Sequence, residues 1–279
     1  MMRCLKLEFW KLFHNALFWV ALIIGALVSS IDIAENAMRV FSAGTEPELI
    51  HRGYAGINLF VRWICVNTYT AGYVWFFFIF PLIASIAYGW SFVSERESGY
   101  IKNIVSRTNK ANYYVPKYIV TYCGGGMAVA IPLLLNLLLN ALVCPAETPS
   151  ILTMAAPIAQ GSFMSILYYT HPWAYSLIAV FTDFLWGGAI ASLCYCFGFF
   201  LRKGITVVVL PFVLFVGMDF SVSILGVGGS TRYELSPLAL IHATTLNSNP
   251  AWLVFSVIAG IICIAITASI YKGYHDEHF

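Results

Sequence analysis

Ionisable residues are scarce in this chain, and one stretch holds an unusual share of them. Ser94–Arg107, which reads Ser-Glu-Arg-Glu-Ser-Gly-Tyr-Ile-Lys-Asn-Ile-Val-Ser-Arg, is the only sizeable charged island in the middle of the sequence. Glu95 and Glu97 come first, where a helix N-terminus attracts negative charge, and Tyr100, Ile101, Ile104 and Val105 follow at helical spacing. Arg96, Lys102 and Arg107 fall on the other side of that helix. The chemistry this suits is recognition: a short amphipathic helix at a membrane surface offers a docking face to a soluble partner. The plainer account of the same residues is a basic loop held at the headgroups.

Three further positions invite a chemical reading. Asp183 lies within an apolar run, about 15 Å from its expected outer end at about 1.5 Å per residue. Asp219 sits nearer the outer end of the next run. A carboxylate in hydrocarbon must face protein or water, and its default meaning is functional; the alternative is a hydrogen-bonded or protonated acid that ties helices together. Asn136 and Asn140 are one turn apart, so their amides share a face and either line a polar path or zip one helix to another.

Bond-making chemistry finds no support. The sequence lacks a G-x-x-x-x-G-K-[ST] phosphate loop, an H-E-x-x-H pair and a G-x-S-x-G elbow, so neither an enzyme nor a cofactor of its own is expected. Gly124-Gly125-Gly126 has no accompanying lysine and reads as a site of close helix packing, as do Gly187, Gly188, Ala191 and Ser192. The terminal His275-Asp276-Glu277-His278 reads as a solvated tail. Of the seven cysteines, Cys123, Cys194, Cys196 and Cys263 fall in apolar runs as small fillers, and Cys194-x-Cys196 does not share a helical face. Cys65 and Cys144 are candidates for a disulfide on the outer side.

The elements that carry these residues follow from composition. The 279 residues are 60% hydrophobic and only 10% charged, against about 25% charged in soluble domains. Six apolar runs are long enough to cross a ~30 Å hydrocarbon core: roughly 15–33, 70–92, 119–143, 173–201, 205–225 and 251–271. Two further stretches compete. Tyr54–Tyr69 has Arg62 at its centre, and Ile151–Tyr169 is broken by Pro157, Gln160 and Gly161; both are expected as interfacial or surface-packed helices. With the N-terminus in the cytoplasm, Lys6, Lys11, Lys102, Lys110, Lys117, Lys203 and Lys272 all fall inside, which sets the orientation and puts both termini in the cytoplasm. Residues 1–14 place Leu5, Phe9, Leu12 and Phe13 on one face and read as an interfacial amphipathic helix, with no cleavable leader expected. Pro81, Pro132 and Pro211 fall inside spans and are expected to bend them.

The segment 94–107 resembles the coupling segment of ABC-2 type exporter permeases, which read Glu-Arg/Lys-Glu-x-Gly before a short helix. An interfacial helix before the first span, the tight basic turn Arg202-Lys203-Gly204 between spans four and five, and the outer segment Gly226–Pro250 that dips back toward the membrane extend the likeness to most of the chain. The resemblance implies an all-α membrane protein with six transmembrane helices, an N-terminal interfacial helix and a cytoplasmic coupling helix, residues 1–279 forming one permease domain. It implies a half-transporter in a bacterial cell membrane that pairs with a second copy or a related permease. A separate cytosolic ATPase, carrying ATP and Mg, would grip Glu95, Arg96, Glu97, Gly99, Tyr100, Ile101, Ile104 and Arg107. The exported cargo would be hydrophobic or amphipathic, such as an antimicrobial peptide or drug, passing Asp183, Asn136 and Asn140. Membrane lipid is an expected partner and nucleic acid is not. An ion-coupled secondary transporter using its intramembrane acids is the alternative.

Overall fold

A computed structural model of the chain describes residues 2–43, 58–107, 109–149, 158, 162–225, 236–241 and 249–275. Every regular element among them is a helix. In chain order these are α1 (Met2–Phe13), α2 (Ala16–Ala43), α3 (Leu59–Arg62), α4 (Ala71–Tyr88), α5 (Ser91–Glu97), α6 (Tyr100–Val105), α7 (Ala111–Val143), α8 (Ser165–Thr170), α9 (Pro172–Phe197), α10 (Gly204–Leu225), α11 (Pro237–Ile241) and α12 (Ala251–His275). Six helices are long and apolar enough to cross a membrane: α2, α4 continued by α5, α7, α9, α10 and α12. The protein is therefore an all-α, multi-pass membrane protein.

The centre of the bundle is the pairing of α7 with α9, flanked by α2 and α4. Glycine makes that pairing close. A Cβ added at Gly125 would stand 2.4 Å from the Ala191 Cβ and 2.8 Å from the Gly187 carbonyl, so only hydrogen fits. The glycine triplet and the small residues of the fourth span thus meet face to face, which gains dispersion contact where lipid supplies no hydrophobic drive between helices.

Several boundaries move from their expected places, each for a stated reason. Helix α2 runs to Ala43 rather than stopping near residue 33, because Asp32 and Asn36 are buried and hydrogen-bonded to each other and to Asn140 of α7. Helix α7 begins at Ala111 rather than near residue 119, because its Lys117 is neutralised by carboxylates from two other elements. The described part of Tyr54–Tyr69 is not a surface helix: α3 is one turn, and Leu59, Phe60, Trp63, Ile64, Cys65 and Val66 are at most 2% exposed. This segment inserts between the helices, with Arg62 left half-buried at its edge. Of Ile151–Tyr169, α8 is one-sided as expected, Tyr168 being buried and Ile166 exposed; residues 151–157 and 159–161 lie outside the described residues. So do most of Gly226–Pro250 and residues 276–278 of the tail; within the former, α11 is buried.

Candidate coupling site

The charged island folds as two short helices set at an angle by one residue. Helix α5 continues the second span, and Gly99 adopts φ +71°, the left-handed region, before α6 starts. A residue with a Cβ is disfavoured there by roughly 1–2 kcal/mol. Nothing lies within 4 Å of a Cβ built at Gly99, so its role in this chain is the turn. Ile101 is anchored beneath α6 among Phe92, Tyr113, Tyr114, Tyr195 and Phe199, with Tyr100, Ile104 and Val105 packed at the edge.

Two of the charged residues turn inward. Glu95 belongs to a closed ring of four ion pairs. Lys11 meets Glu8 and Glu95 at 2.8 Å each, and Lys117 meets the same two carboxylates at 3.0 Å each. The ring alternates in sign and sums to zero. The Tyr88 hydroxyl donates to Glu8 at 3.0 Å, and the Tyr113 hydroxyl donates to Glu95. Lys117 is wholly buried and also donates to the Tyr88 hydroxyl at 3.3 Å, while the Lys11 ammonium lies 4.2 Å from the centre of the Tyr100 ring. Four elements of the bundle (α1, the second span with α5, α6 and α7) are joined at this one point.

The electrostatics of α1 follow from the ring. Burial works against an ionised Glu8, but Lys117 and Lys11 outweigh it and hold the carboxyl below its ordinary value of 4.5. Burial likewise disfavours a charged Lys11, and the hydrogen bonds and charges of Glu8 and Glu95 more than offset that, raising the ammonium above its ordinary 10.5. Helix α1 is amphipathic in an unusual sense: its inward face carries Glu8 beside Leu12, and Met2, Leu7, Trp10 and Phe13 remain exposed. Exposed apolar side chains of this kind suit an interfacial helix.

Arg96 is also spent inside the protein. Its guanidinium donates to the carbonyls of Gly198 at 2.8 Å, Phe199 and Leu201. Those carbonyls follow the C-terminus of α9, where orphan acceptors and the negative end of the helix dipole favour a cation. The contact ties the charged island to the Arg202-Lys203-Gly204 turn. What remains outward is Glu97, Ser98, Lys102, Asn103, Ser106 and Arg107. The expected docking residues therefore divide: Glu95, Arg96 and Ile101 fix the segment in place, and Glu97 and Arg107 present charge from it, joined by Lys102, which was not among them.

The residues expected along a path are enclosed. Asn136 and Asn140 are 0% exposed and bind across to α2. Asp32 Oδ2 accepts from the amides of Asn36, Asn136 and Asn140 at 3.2 Å each, and Asn136 also donates to the Ser29 carbonyl at 2.9 Å. This is the zipping alternative, realised around an acid the sequence places at a span's end. Asp183 is 5% exposed and accepts from the Cys65 thiol at 3.7 Å. Burial and the neighbouring Asp183 push the Cys65 thiol well above the ordinary range. Cys65 and Cys144 are both free thiols. Asp219 is half-buried on α10. Among the described residues no group of three or more His, Cys, Asp or Glu converges as a metal site.

Sequence reasoning missed Glu8, Lys11 and Lys117 as site residues. The available signal was Glu8 and Lys11 at i, i+3 on the face of α1 that also carries Leu12. No family model matches the chain, and no curated protein matches it.

Proposed function

We propose that this chain is the permease subunit of an ABC transporter of the ABC-2 type, driven by a separate cytosolic ATPase that docks on α5–α6. The observation that carries the reading is the anchored island: a two-helix projection whose outer face shows Glu97, Lys102 and Arg107 while Glu95, Arg96 and Ile101 bind it to the bundle. A projection fixed at once to α1, α7 and the end of α9 transmits a push; a loop held only by its ends does not. The end of the bundle bearing α1 faces the cytoplasm in this proposal, and the cargo is a hydrophobic or amphipathic molecule exported through a pair of permeases.

The test uses the exposed residues alone. Glu97→Lys with Lys102→Glu and Arg107→Glu reverses the outer charges and leaves the ring, Arg96 and Gly99 intact. Membrane insertion and thermal stability should be unchanged, and co-purification of an ATPase encoded beside this chain, with its stimulation, should be lost. Undiminished complex formation refutes the docking assignment. Labelling of single cysteines at positions 110 and 203 from the cytoplasm only supports the orientation. The ion-coupled alternative has its own observation in the buried acids Asp32 and Asp183; transport that persists without any ATPase and follows an ion gradient would favour it.

A further inference from the structure

The polar cluster between α2 and α7 is short of donors. Asp32 is 0% exposed and Asn36 1%, and they stand one turn apart on the same face of α2. Every amide hydrogen around them is committed. Asn136 donates to Asp32 Oδ2 and the Ser29 carbonyl, and Asn140 donates to Asp32 Oδ2 and Asn136 Oδ1. Asn36 faces three acceptors, Asp32 Oδ2, the Arg62 carbonyl and Asn140 Oδ1, with two amide hydrogens to offer. Two buried oxygens, Asp32 Oδ1 and Asn36 Oδ1, are left without a hydrogen-bond partner among the described residues. Turning the Asn36 amide over would set its oxygen against the same three acceptors, so no rotation cures the deficit.

Charge is short as well, since a buried carboxylate needs a countercharge beside its hydrogen bonds. Arg62 gives the cluster its backbone carbonyl, and its guanidinium lends a field from the half-buried edge without donating to Oδ1. Glu35 and Arg39, the other charges on this part of α2, are opposite in sign. Glu35 accepts from the Ala71 N–H at the start of α4, and Arg39 is exposed. The buried Thr70 hydroxyl stands beside the carboxyl and leaves Oδ1 unbonded. Water among these oxygens would lend hydrogens and no charge. A small hard cation lends the charge, and carboxylate, amide and hydroxyl oxygens are the ligands such ions take. Against one carboxylate and neutral amides, a single positive charge balances the site and a double one overshoots.

We propose that Asp32 Oδ1, Asn36 Oδ1 and the Thr70 hydroxyl hold one monovalent alkali cation of the sodium class where α2, α4 and α7 meet. The ion neutralises Asp32 and, with the amides of α7, joins three spans. The site rests on neither reading of transport: a resident ion serves the fold whether an ATPase or a gradient drives the protein.

Binding of radioactive sodium to the purified full chain, in detergent and choline chloride buffer, tests it. The protein should retain about one ion per chain, displaced by unlabelled sodium chloride and not by choline chloride. It should also melt several degrees higher in sodium chloride than in choline chloride at equal ionic strength. Asp32→Asn removes the charge and sets an amide N–H in place of the ion beside the Asn36 oxygen, so this variant supplies the missing donor and should fold. Its sodium binding should fall at least about tenfold, and its melting temperature should become the same in the two salts. Asp183→Asn, at the other enclosed acid, should leave both readouts unchanged. The measurement on the unaltered chain stands whether or not the variants fold. A chain that retains no sodium, retention that survives Asp32→Asn, or retention lost only with Asp183→Asn overturns the proposal.

Discussion

Replacing Lys117 with methionine probes the ion ring most directly. The side chain is 0% exposed and reaches two carboxylates at 3.0 Å each. At an effective dielectric of about 20, each such pair attracts by roughly 5–6 kcal/mol, most of which offsets the cost of removing the charges from water. Truncating one partner leaves that cost unmatched: Glu8 and Glu95 then share Lys11 alone, with one excess negative charge in a buried site. Breaking a buried pair in this way costs about 3–5 kcal/mol. The lower end applies here, because the Glu95 and Lys11 side chains are 15% and 24% exposed and water screens part of the excess. A loss of about 3 kcal/mol corresponds to roughly 6–12 °C in the melting temperature of a chain this size. The assay is thermal unfolding of purified protein in detergent, with limited proteolysis of α1 as a local readout. Glu8→Gln completes a double-variant cycle: combined with Lys117→Met it removes the excess charge, so the pair should lose at least about 1.5 kcal/mol less than the sum of the single losses. An unshifted melting temperature for Lys117→Met, or additivity within about 0.5 kcal/mol, refutes the ring as a unit.

Three further expectations follow from the same geometry. Because Glu8 is held below 4.5, its contribution is fully present above that value and is lost as pH falls through the lower folded value; because Lys11 is held above 10.5, its contribution is present below that value and is lost as pH rises through the higher one. Protease resistance of α1 should therefore be flat from about pH 5 to 10 and fall on both sides, and a monotonic profile through neutral pH contradicts the assignment. Gly125→Leu drives a side chain into the Ala191 Cβ and the Gly187 carbonyl, and should cost at least about 3 kcal/mol or block assembly of α7 with α9 in a thermal melt. Asp183→Asn removes an enclosed ionisable group and should hold stability or raise it by about 1–2 kcal/mol, read as a melting temperature that does not fall; a well-folded Asp183→Asn protein that has lost transport would support the path reading.

The class of this protein was legible in its composition. Apolar runs of about 20 residues are long enough to cross a hydrocarbon core, so six candidate crossings emerged from length and hydropathy, and the small residues at 124–126 and 187–192 announced close packing. The amides of Asn136 and Asn140 were recognisable as a shared face, since helical periodicity is a local property. The partners of those faces were not. Glu8, Glu95 and Lys117 stand far apart in sequence, and only the packing of α1 against α7 and α5 brings their charges within 3.0 Å. The extra turns of α2 and α7 became possible for the same reason: a polar residue ends an apolar run when it is read alone, and extends a helix when another element supplies its countercharge or hydrogen bonds. Arg96 and Glu95 looked like exposed recognition residues because charge in a sequence defaults to solvent. The tertiary structure assigned them instead to the carbonyls just past the C-terminus of α9 and to the ion ring, because packing supplies acceptors and countercharges to charges drawn away from water.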